Sequence, residues 1–134
     1  MSGYSGAPLW KKLGIKPGTR LCVQNAPPGY RAWVAPLPEG AAIVSGNKGG
    51  CDIVHLFLDS LSLVDRELQE ARKLIHSAGA IWVSWPKKSS GIVTDVNENG
   101  IRSIALKTDL VDVKVCAVSE VWSGLKLVVR AHLR

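Results

Sequence analysis

The chain has 134 residues, which is the length of one ordinary domain. Hydrophobic residues make up 46% and charged residues 21%, and this composition excludes a disordered chain. The formal net charge is +6, from 17 Lys and Arg against 11 Asp and Glu. The longest apolar runs, such as residues 53–58, are much shorter than the roughly 18 residues of a membrane span, so we expect no membrane segment.

The cysteines and the N-terminal residues indicate the compartment. Cys22, Cys51 and Cys116 are an odd number of widely spaced residues with no Cys-x-x-Cys pair. They fit neither a disulfide framework nor a metal site, and they are typical of a reducing environment. The chain starts with no basic segment followed by an apolar one, so we expect no secretory signal. The sequence therefore predicts a cytoplasmic protein without a bound metal.

The basic residues are spread along the chain. Only Lys11 and Lys12 with Lys16, and Lys87 with Lys88, stand close together. A nucleic-acid interface needs its positive charge gathered on one face. The spacing in the sequence is typical of a slightly basic, solvated surface and disfavours nucleic acid as a partner.

Glycine and proline divide the first half of the chain. Residues 1–18 are expected to form a lead-in that packs on a single α/β domain over residues 19–134. The predicted elements are a helical turn over residues 9–13, a strand over 19–24, a rigid loop over 25–29, one or two helical turns over 30–35, a strand over 41–45 and a flexible loop over 46–50.

The middle of the chain predicts a strand, a helix and a second strand. Residues 52–58 are almost continuously apolar, as in a strand buried on both faces of a parallel sheet. Apolar residues then recur at helical spacing at Leu61, Val64, Leu68, Ala71 and Ile75. Gly79 stands where a left-handed residue would close this helix, and His76 would lie at its C-terminus. A strand follows over residues 80–85, and the three elements form a right-handed βαβ unit.

The last third of the chain predicts a helix and a hairpin. Thr94 or Asp95 would cap a weaker helix with apolar residues at Val96, Ile101, Ile104 and Ala105. Strands over residues 110–118 and 125–130 are joined by a short link, so we expect them to be antiparallel. The fold class is an open, mainly parallel α/β sheet with crossover helices and a C-terminal antiparallel hairpin. An edge strand rich in Val and Leu favours a homodimer through this hairpin.

Three segments resemble known proteins. The order of elements, and the segment Leu74 to Lys87 (LIHSAGAIWVSWPK), resemble a shortened class I methyltransferase-like Rossmann fold over most of residues 16–130, with one strand–helix unit fewer than the full fold. The motifs Leu13-Gly-Ile-Lys-Pro-Gly18, Gly79-Ala-Ile-Trp-Val-Ser-Trp-Pro-Lys87 and Trp122-Ser-Gly-Leu-Lys-Leu127 are together similar to those of a small bacterial family of unknown function. This resemblance implies a fold and no chemistry.

The chain departs from the methyltransferase pattern at two positions. A Rossmann-type nucleotide site needs glycines after the first strand and an acidic residue near the end of the second. The first loop, residues 25–29, contains one glycine and two prolines, and Lys48 stands where a carboxylate is expected. We therefore expect no cofactor and a non-catalytic binding or interaction module. The alternative is a divergent S-adenosylmethionine-dependent methyltransferase or a nucleotide- or anion-binding enzyme.

Ligands of open α/β sheets bind outside the carboxyl ends of the parallel strands. Lys87 and Lys88, beside Ser89 and the start of a helix, could hold a phosphate or carboxylate, although such a loop is also typical of a soluble turn. The partner would be a small anionic ligand or a protein. The candidate residues at this edge are Asn25, Gly29, Asp59, Ser84, Trp85, Lys87, Lys88 and Ser89.

Five residues allow a structural or a functional interpretation. His55 could be a general base, but its buried strand favours a core histidine with both ring nitrogens bonded. Cys51 could be an exposed thiol. Trp82 and Trp85 should project to opposite faces of their strand, one of them under a crossover helix. Trp122, in the hairpin turn, could stack on a ligand, but packing against the lead-in is favoured.

Overall fold

The computed structural model describes residues 7–45 and 49–134; the predicted loop residues 46–48, including Lys48, lie outside these ranges. Short 3-10 turns occupy Leu61–Leu63, Lys88–Ser90 and Ala131–Leu133. The helices and strands, in chain order, are α1 Leu9–Leu13, β1 Arg20–Gln24, α2 Tyr30–Val34, β2 Ala42–Ile43, β3 Cys51–Phe57, α3 Val64–Leu74, β4 Ile75–Pro86, α4 Glu98–Ala105, β5 Leu110–Ala117 and β6 Trp122–Val129.

Six strands form one sheet in the order β2-β1-β3-β4-β6-β5. The pairs β2–β1, β1–β3 and β3–β4 are parallel, whereas β6 is antiparallel to both β4 and β5. The mainly parallel α/β sheet and the antiparallel hairpin are therefore confirmed. The antiparallel strand β6 lies inside the sheet, between β4 and β5, and the two edge strands are β5 and β2.

Both faces of the sheet are covered by helices. On one face α3 and α4 bury Val64, Leu68, Ala71, Ile101 and Ala105 against alternate residues of β3, β4 and β6. On the other face α1 and α2 bury Leu9, Leu13, Tyr30 and Val34. The central strands are nearly continuously apolar because each of their faces packs against a helical layer. Trp85 belongs to the first layer and Trp82 to the second, so the expectation of opposite faces is confirmed.

The helix α3 is shorter than predicted, and Gly79 has another role. The helix ends at Leu74, and residues 75–78, including His76, belong to β4. Gly79 is buried in that strand, and a Cβ atom at this position would lie 2.8 Å from the backbone oxygen of Asp52. The prediction of a left-handed helix-closing residue is wrong. Glycine is required here because β3 and β4 approach closely where their pairing is irregular, between Cys51 and Ile53.

The cap of α4 also differs from the prediction. Asn97 is the N-cap, and its Oδ1 accepts a hydrogen bond of 2.8 Å from the backbone N–H of Gly100. Thr94 instead donates its hydroxyl to the backbone oxygen of Asp59, and Asp95 accepts the backbone N–H of Leu61. These two side chains fasten the segment after β4 to the loop after β3, so they serve tertiary contacts and not the helix.

Two further expectations concern thiols and membrane contact. Cys51 is completely buried, so the expectation of an exposed thiol is wrong, and burial raises the pKa of this thiol. It lies on the face that packs against α3. Within the described part of the chain, no helix combines the length and the apolar character needed to cross a bilayer.

Candidate functional site

Two separate cavities open at the carboxyl ends of the parallel strands. The first, which we call the carboxyl-edge cavity, has a volume of about 350 Å³ and lies beside the ends of β1 and β3. The second has about 380 Å³ and lies between the ends of β1 and β2. The first is lined by Asn25, Phe57, Leu58, Asp59, Leu63 and Trp122, and the second by Val23, Ala26, Pro27, Gly29, Tyr30, Arg31 and Ile43.

The loop between β1 and α2 separates these cavities. Asn25 adopts a left-handed conformation with φ of 61°, and its Nδ2 donates to the backbone oxygen of Phe57 at 3.3 Å. Pro27 and Pro28 have no backbone N–H to offer a ligand. Gly29 also has a positive φ, of 89°, and a Cβ there would lie 3.3 Å from the indole Nε1 of Trp33. The loop is therefore held by its own contacts and supplies lining residues to both cavities.

Asp59, after the end of β3, and Trp122, on β6, both face the carboxyl-edge cavity. Asp59 is exposed, directly beyond the end of β3. Trp122 is the first residue of β6, paired with Pro86, and not a residue of the turn. Its ring packs edge-to-face on Phe57, with centroids 5.0 Å apart. The expectation that Trp122 packs in the fold is confirmed, with Phe57 of β3 as its ring partner, and the same ring also lines the cavity.

The structure brings only some of the predicted site residues together. Asn25 and Asp59 share the carboxyl-edge cavity, whereas Gly29 lines the second cavity. Ser84 and Trp85 are buried in the core. Lys87, Lys88 and Ser89 form an exposed or half-buried turn after β4 and line neither cavity. The helix expected to start there is a single 3-10 turn, because α4 begins only at Glu98.

The other lining residues, which were not among the candidate residues at this edge, are Phe57, Leu58, Leu63 and Trp122. For Trp122, the sequence favours packing and leaves ligand stacking as the alternative. Leu63 lies in the 3-10 turn that precedes α3, and its side chain is 42% exposed. Trp122 reaches the cavity because β6 inserts beside β4. The sequence offered one signal for Leu63, since it is an apolar residue shortly after the end of β3. It offered none for Trp122, because the position of this residue depends on the pairing of β6 with β4, which the neighbouring residues do not predict.

A buried polar chain crosses the core beneath the cavity. The hydroxyl of Tyr30 lies 2.7 Å from His55 Nδ1, and His55 Nε2 lies 2.7 Å from the Ser84 hydroxyl. His55 is fully buried and stacks on Phe57, and burial lowers its pKa to about 3. Burial also raises the pKa of Tyr30. Since one ring nitrogen donates and the other accepts, a neutral imidazole is fully satisfied, and the prediction of a core histidine is confirmed.

Comparisons with known proteins give a fold and no family. No protein-family model and no curated protein matches this sequence. Among solved structures, one match is fibrillarin from Aeropyrum pernix in complex with natively bound S-adenosyl-L-methionine. It is 12% identical in sequence with a TM-score of 0.55, and the match spans 94% of this chain and 70% of the fibrillarin chain. A SAM-dependent O-methyltransferase from Thermotoga maritima is 9% identical, with a TM-score of 0.56, over 90% of this chain and 63% of its own.

A third structure is closer to this chain in size. It is a SAM-dependent methyltransferase from Aquifex aeolicus, 12% identical with a TM-score of 0.52, and the match covers 87% of this chain and 85% of that one. At such identities the likeness concerns the arrangement of strands and helices alone. The chain therefore has a methyltransferase-like Rossmann fold, with an antiparallel strand inserted next to the last strand of its sheet.

Proposed function

We propose that this protein is a non-catalytic binding module that holds a small ligand in the carboxyl-edge cavity. The observation that carries the proposal is the loop over residues 25–29, which occupies the edge where the fold's ligands bind. Asn25 bonds across to β3, the two prolines withhold N–H donors, and the remaining space is divided between two cavities. In a Rossmann-type nucleotide site, glycines let the backbone of this loop approach the ligand closely. In this chain the loop over residues 25–29 is instead held by its two prolines and by the bond from Asn25 to β3.

The lining of the carboxyl-edge cavity favours a ligand with an amine and an apolar part. Among its described lining residues, Asp59 is the only ionisable side chain. The Trp122 and Phe57 rings and the Leu63 side chain supply the apolar wall. A carboxylate beside an indole ring attracts an organic cation through charge and through the ring face. The predicted anionic ligand would find no ammonium or guanidinium group among these lining residues.

The first experiment compares two probes of equal size, phenethylamine and phenylacetate, by NMR titration while observing the Trp122 indole signal. We expect the amine to shift this signal and the carboxylate to leave it unchanged. The Asp59→Asn substitution should weaken binding of the amine about tenfold. The control is Asp65→Asn, which replaces an exposed carboxylate on α3 and should leave binding of the amine unchanged. Equal responses to both probes, or no response at Trp122, would contradict the proposal.

The second candidate is a divergent S-adenosylmethionine-dependent methyltransferase, favoured by the fold shared with such enzymes. Thermal unfolding with S-adenosylmethionine and its demethylated product distinguishes the two. A ligand at a hundred times its Kd stabilises a folded protein by about 2.7 kcal/mol. We expect no such stabilisation with either compound. Stabilisation of that size by both compounds would favour the transferase.

A further inference from the structure

The opposite end of the sheet carries a different cavity. It has a volume of about 480 Å³ and lies at the amino ends of the parallel strands β1, β3 and β4. Its lining includes Gly14 and Lys16 from the segment after α1, Asp52 and His76 from β3 and β4, and Lys126 from β6. We call it the amino-edge cavity. None of these residues takes part in the site proposed above.

Two lysines, Lys16 and Lys126, line this cavity, and Lys114 lies beside Lys126 on the neighbouring strand. Lys126 is half-buried, and its Nζ lies 3.8 Å from the position that a Cβ atom on Gly14 would occupy. Lys114 pairs directly with Lys126 across β5 and β6, so their side chains project from the same face. Lys16 and Lys114 are both close enough for their charges to act on Lys126. Burial first, and then these two neighbouring charges, lower the pKa of the Lys126 ammonium group.

The ion pairs seen in the described part of the chain do not involve these three lysines. Those ion pairs join Arg72, Lys73 and Arg102 to carboxylates, and the remaining contact is the hydrogen bond between His76 and Asp52. Residues 1–6 and 46–48 contain no Asp or Glu. Three ammonium groups that repel one another destabilise the fold, and an anion placed among them would relieve that repulsion.

Asp52 and His76 also line this cavity, and they hydrogen-bond to each other and to nearby backbone N–H groups. His76 Nδ1 accepts the backbone N–H of Ala78, so its Nε2 is the donor to Asp52 Oδ1, at 2.7 Å. Asp52 Oδ2 accepts the backbone N–H of Arg20 at 2.8 Å. Burial would raise the pKa of Asp52, but the hydrogen bonds from Arg20 and His76 outweigh it and hold this pKa below its ordinary value. Asp52 lies two strands from Lys126, roughly 10 Å across the sheet.

We propose that the amino-edge cavity binds a small organic phosphate, with its phosphate group between Lys16, Lys114 and Lys126. The lysine ammonium is a compact point charge with three donors, which suits phosphate oxygens. The cavity has the size of a small-molecule site, and Lys16 and Lys126 line it together, with Lys114 next to Lys126. This geometry favours a small phosphate-bearing molecule over a nucleic-acid backbone.

The test is a calorimetric titration with pyrophosphate at fixed ionic strength. Lys126→Met keeps most of the side-chain volume and removes the charge, and we expect it to weaken the binding of pyrophosphate at least tenfold. Lys16→Met and Lys114→Met, both at exposed positions, should weaken it by smaller factors and serve if Lys126→Met does not fold. Lys88→Met, an exposed lysine beyond the carboxyl end of β4, is the matched control and should bind normally.

Two outcomes would overturn the proposal. The first is equal weakening in all four variants, or in none, because the affinity would then come from net charge and not from this cavity. The second is a single-stranded 12-nucleotide DNA that binds tighter than pyrophosphate with a steep salt dependence, because the partner would then be a nucleic acid. Either result leaves the carboxyl-edge proposal untouched, since that site lies at the other end of the strands.

Discussion

His55 shows how burial sets the charge of one residue. Its ring is fully buried between the hydroxyls of Tyr30 and Ser84, and its pKa falls from 6.5 to about 3. The unfolded chain protonates this imidazole below about pH 6.5, whereas the folded chain does not. The hydrogen bonds of neutral His55 to Tyr30 and Ser84 therefore contribute fully to stability above about pH 6.5. Their contribution to stability declines as the pH falls from about 6.5 towards 3.

The first prediction follows from this difference. The free energy of unfolding of the native protein should fall by up to about 1.4 kcal/mol per pH unit in this window because of His55 alone. A His55→Asn variant is less stable at pH 7, and the gap to the native protein should narrow between pH 6.5 and pH 4. Urea unfolding at several pH values measures both curves. Parallel curves would show that His55 is not the group responsible.

The second prediction at the residue scale concerns Gly79. A Cβ atom at this position would lie 2.8 Å from the backbone oxygen of Asp52 and 3.1 Å from that of His76. Because backbone atoms cannot move away as a flexible side chain can, Gly79→Ala should destabilise the protein by about 1–3 kcal/mol. Ser77→Ala, at an exposed position in the same segment, is the control and should change stability little. Thermal unfolding compares the two, and a native-like Gly79→Ala would refute the close approach.

At the scale of the element, α4 depends on a cap that lies later in the chain than the sequence suggests. Asn97 Oδ1 accepts the Gly100 N–H, whereas Thr94 and Asp95 bond to Asp59 and Leu61 outside the helix. The segment before α3 and the first turn of α4 are therefore held by different side chains. Within α4, Arg102 also pairs with Glu98 and with Asp112 of β5, which joins this helix to the edge strand.

The third prediction uses this cap. Asn97→Ala should lower the free energy of unfolding by about 1 kcal/mol, since the Gly100 N–H then loses its acceptor. Ser103→Ala, at an exposed interior position of the same helix, should be neutral or slightly stabilising. Denaturant unfolding of both variants gives the comparison. A larger loss in Thr94→Ala than in Asn97→Ala would mean that the tertiary bond to Asp59 matters more than the helix cap.

At the scale of the whole molecule, β5 leaves one side of the sheet unpaired. Val113 and Val115 on this strand are 53% and 43% exposed. An irregularity between Asp112 and Lys114 interrupts the pairing of β5 with β6. The homodimer through the C-terminal hairpin stays a prediction, and the exposed valines supply the apolar surface that a second copy would cover.

The fourth prediction tests that homodimer. Light scattering should give twice the mass of the 14.4 kDa chain, and a Val113→Lys, Val115→Lys double variant should give the mass of one chain. Two lysines on each edge would place like charges against each other across the interface. A single-chain mass for the native protein over a wide range of concentration would contradict the prediction.

Local patterns in the sequence were sufficient for most elements. Strands β3 and β4 and the start of α3 follow from apolar runs and helical spacing, and the strand-end rule located Asn25 and Asp59. The end of α3 did not follow, because Ile75 and Ala78 continue the helical spacing. Residues 75–78 are strand because they pair beside Cys51, where Gly79 allows the two backbones to approach.

The sequence by itself determined the α/β class and the buried strands, including the strand that carries His55, since these depend on neighbours within a few residues; the partners of His55, Tyr30 and Ser84, come from distant parts of the chain. Only the tertiary structure decided that β6 inserts between β4 and β5. That pairing places Trp122 at one end of the sheet and Lys126 beside Lys114 and Lys16 at the other. Charges scattered along a chain become a cluster only when distant strands pair, because strand order is set by packing across the whole sheet and not by local preference.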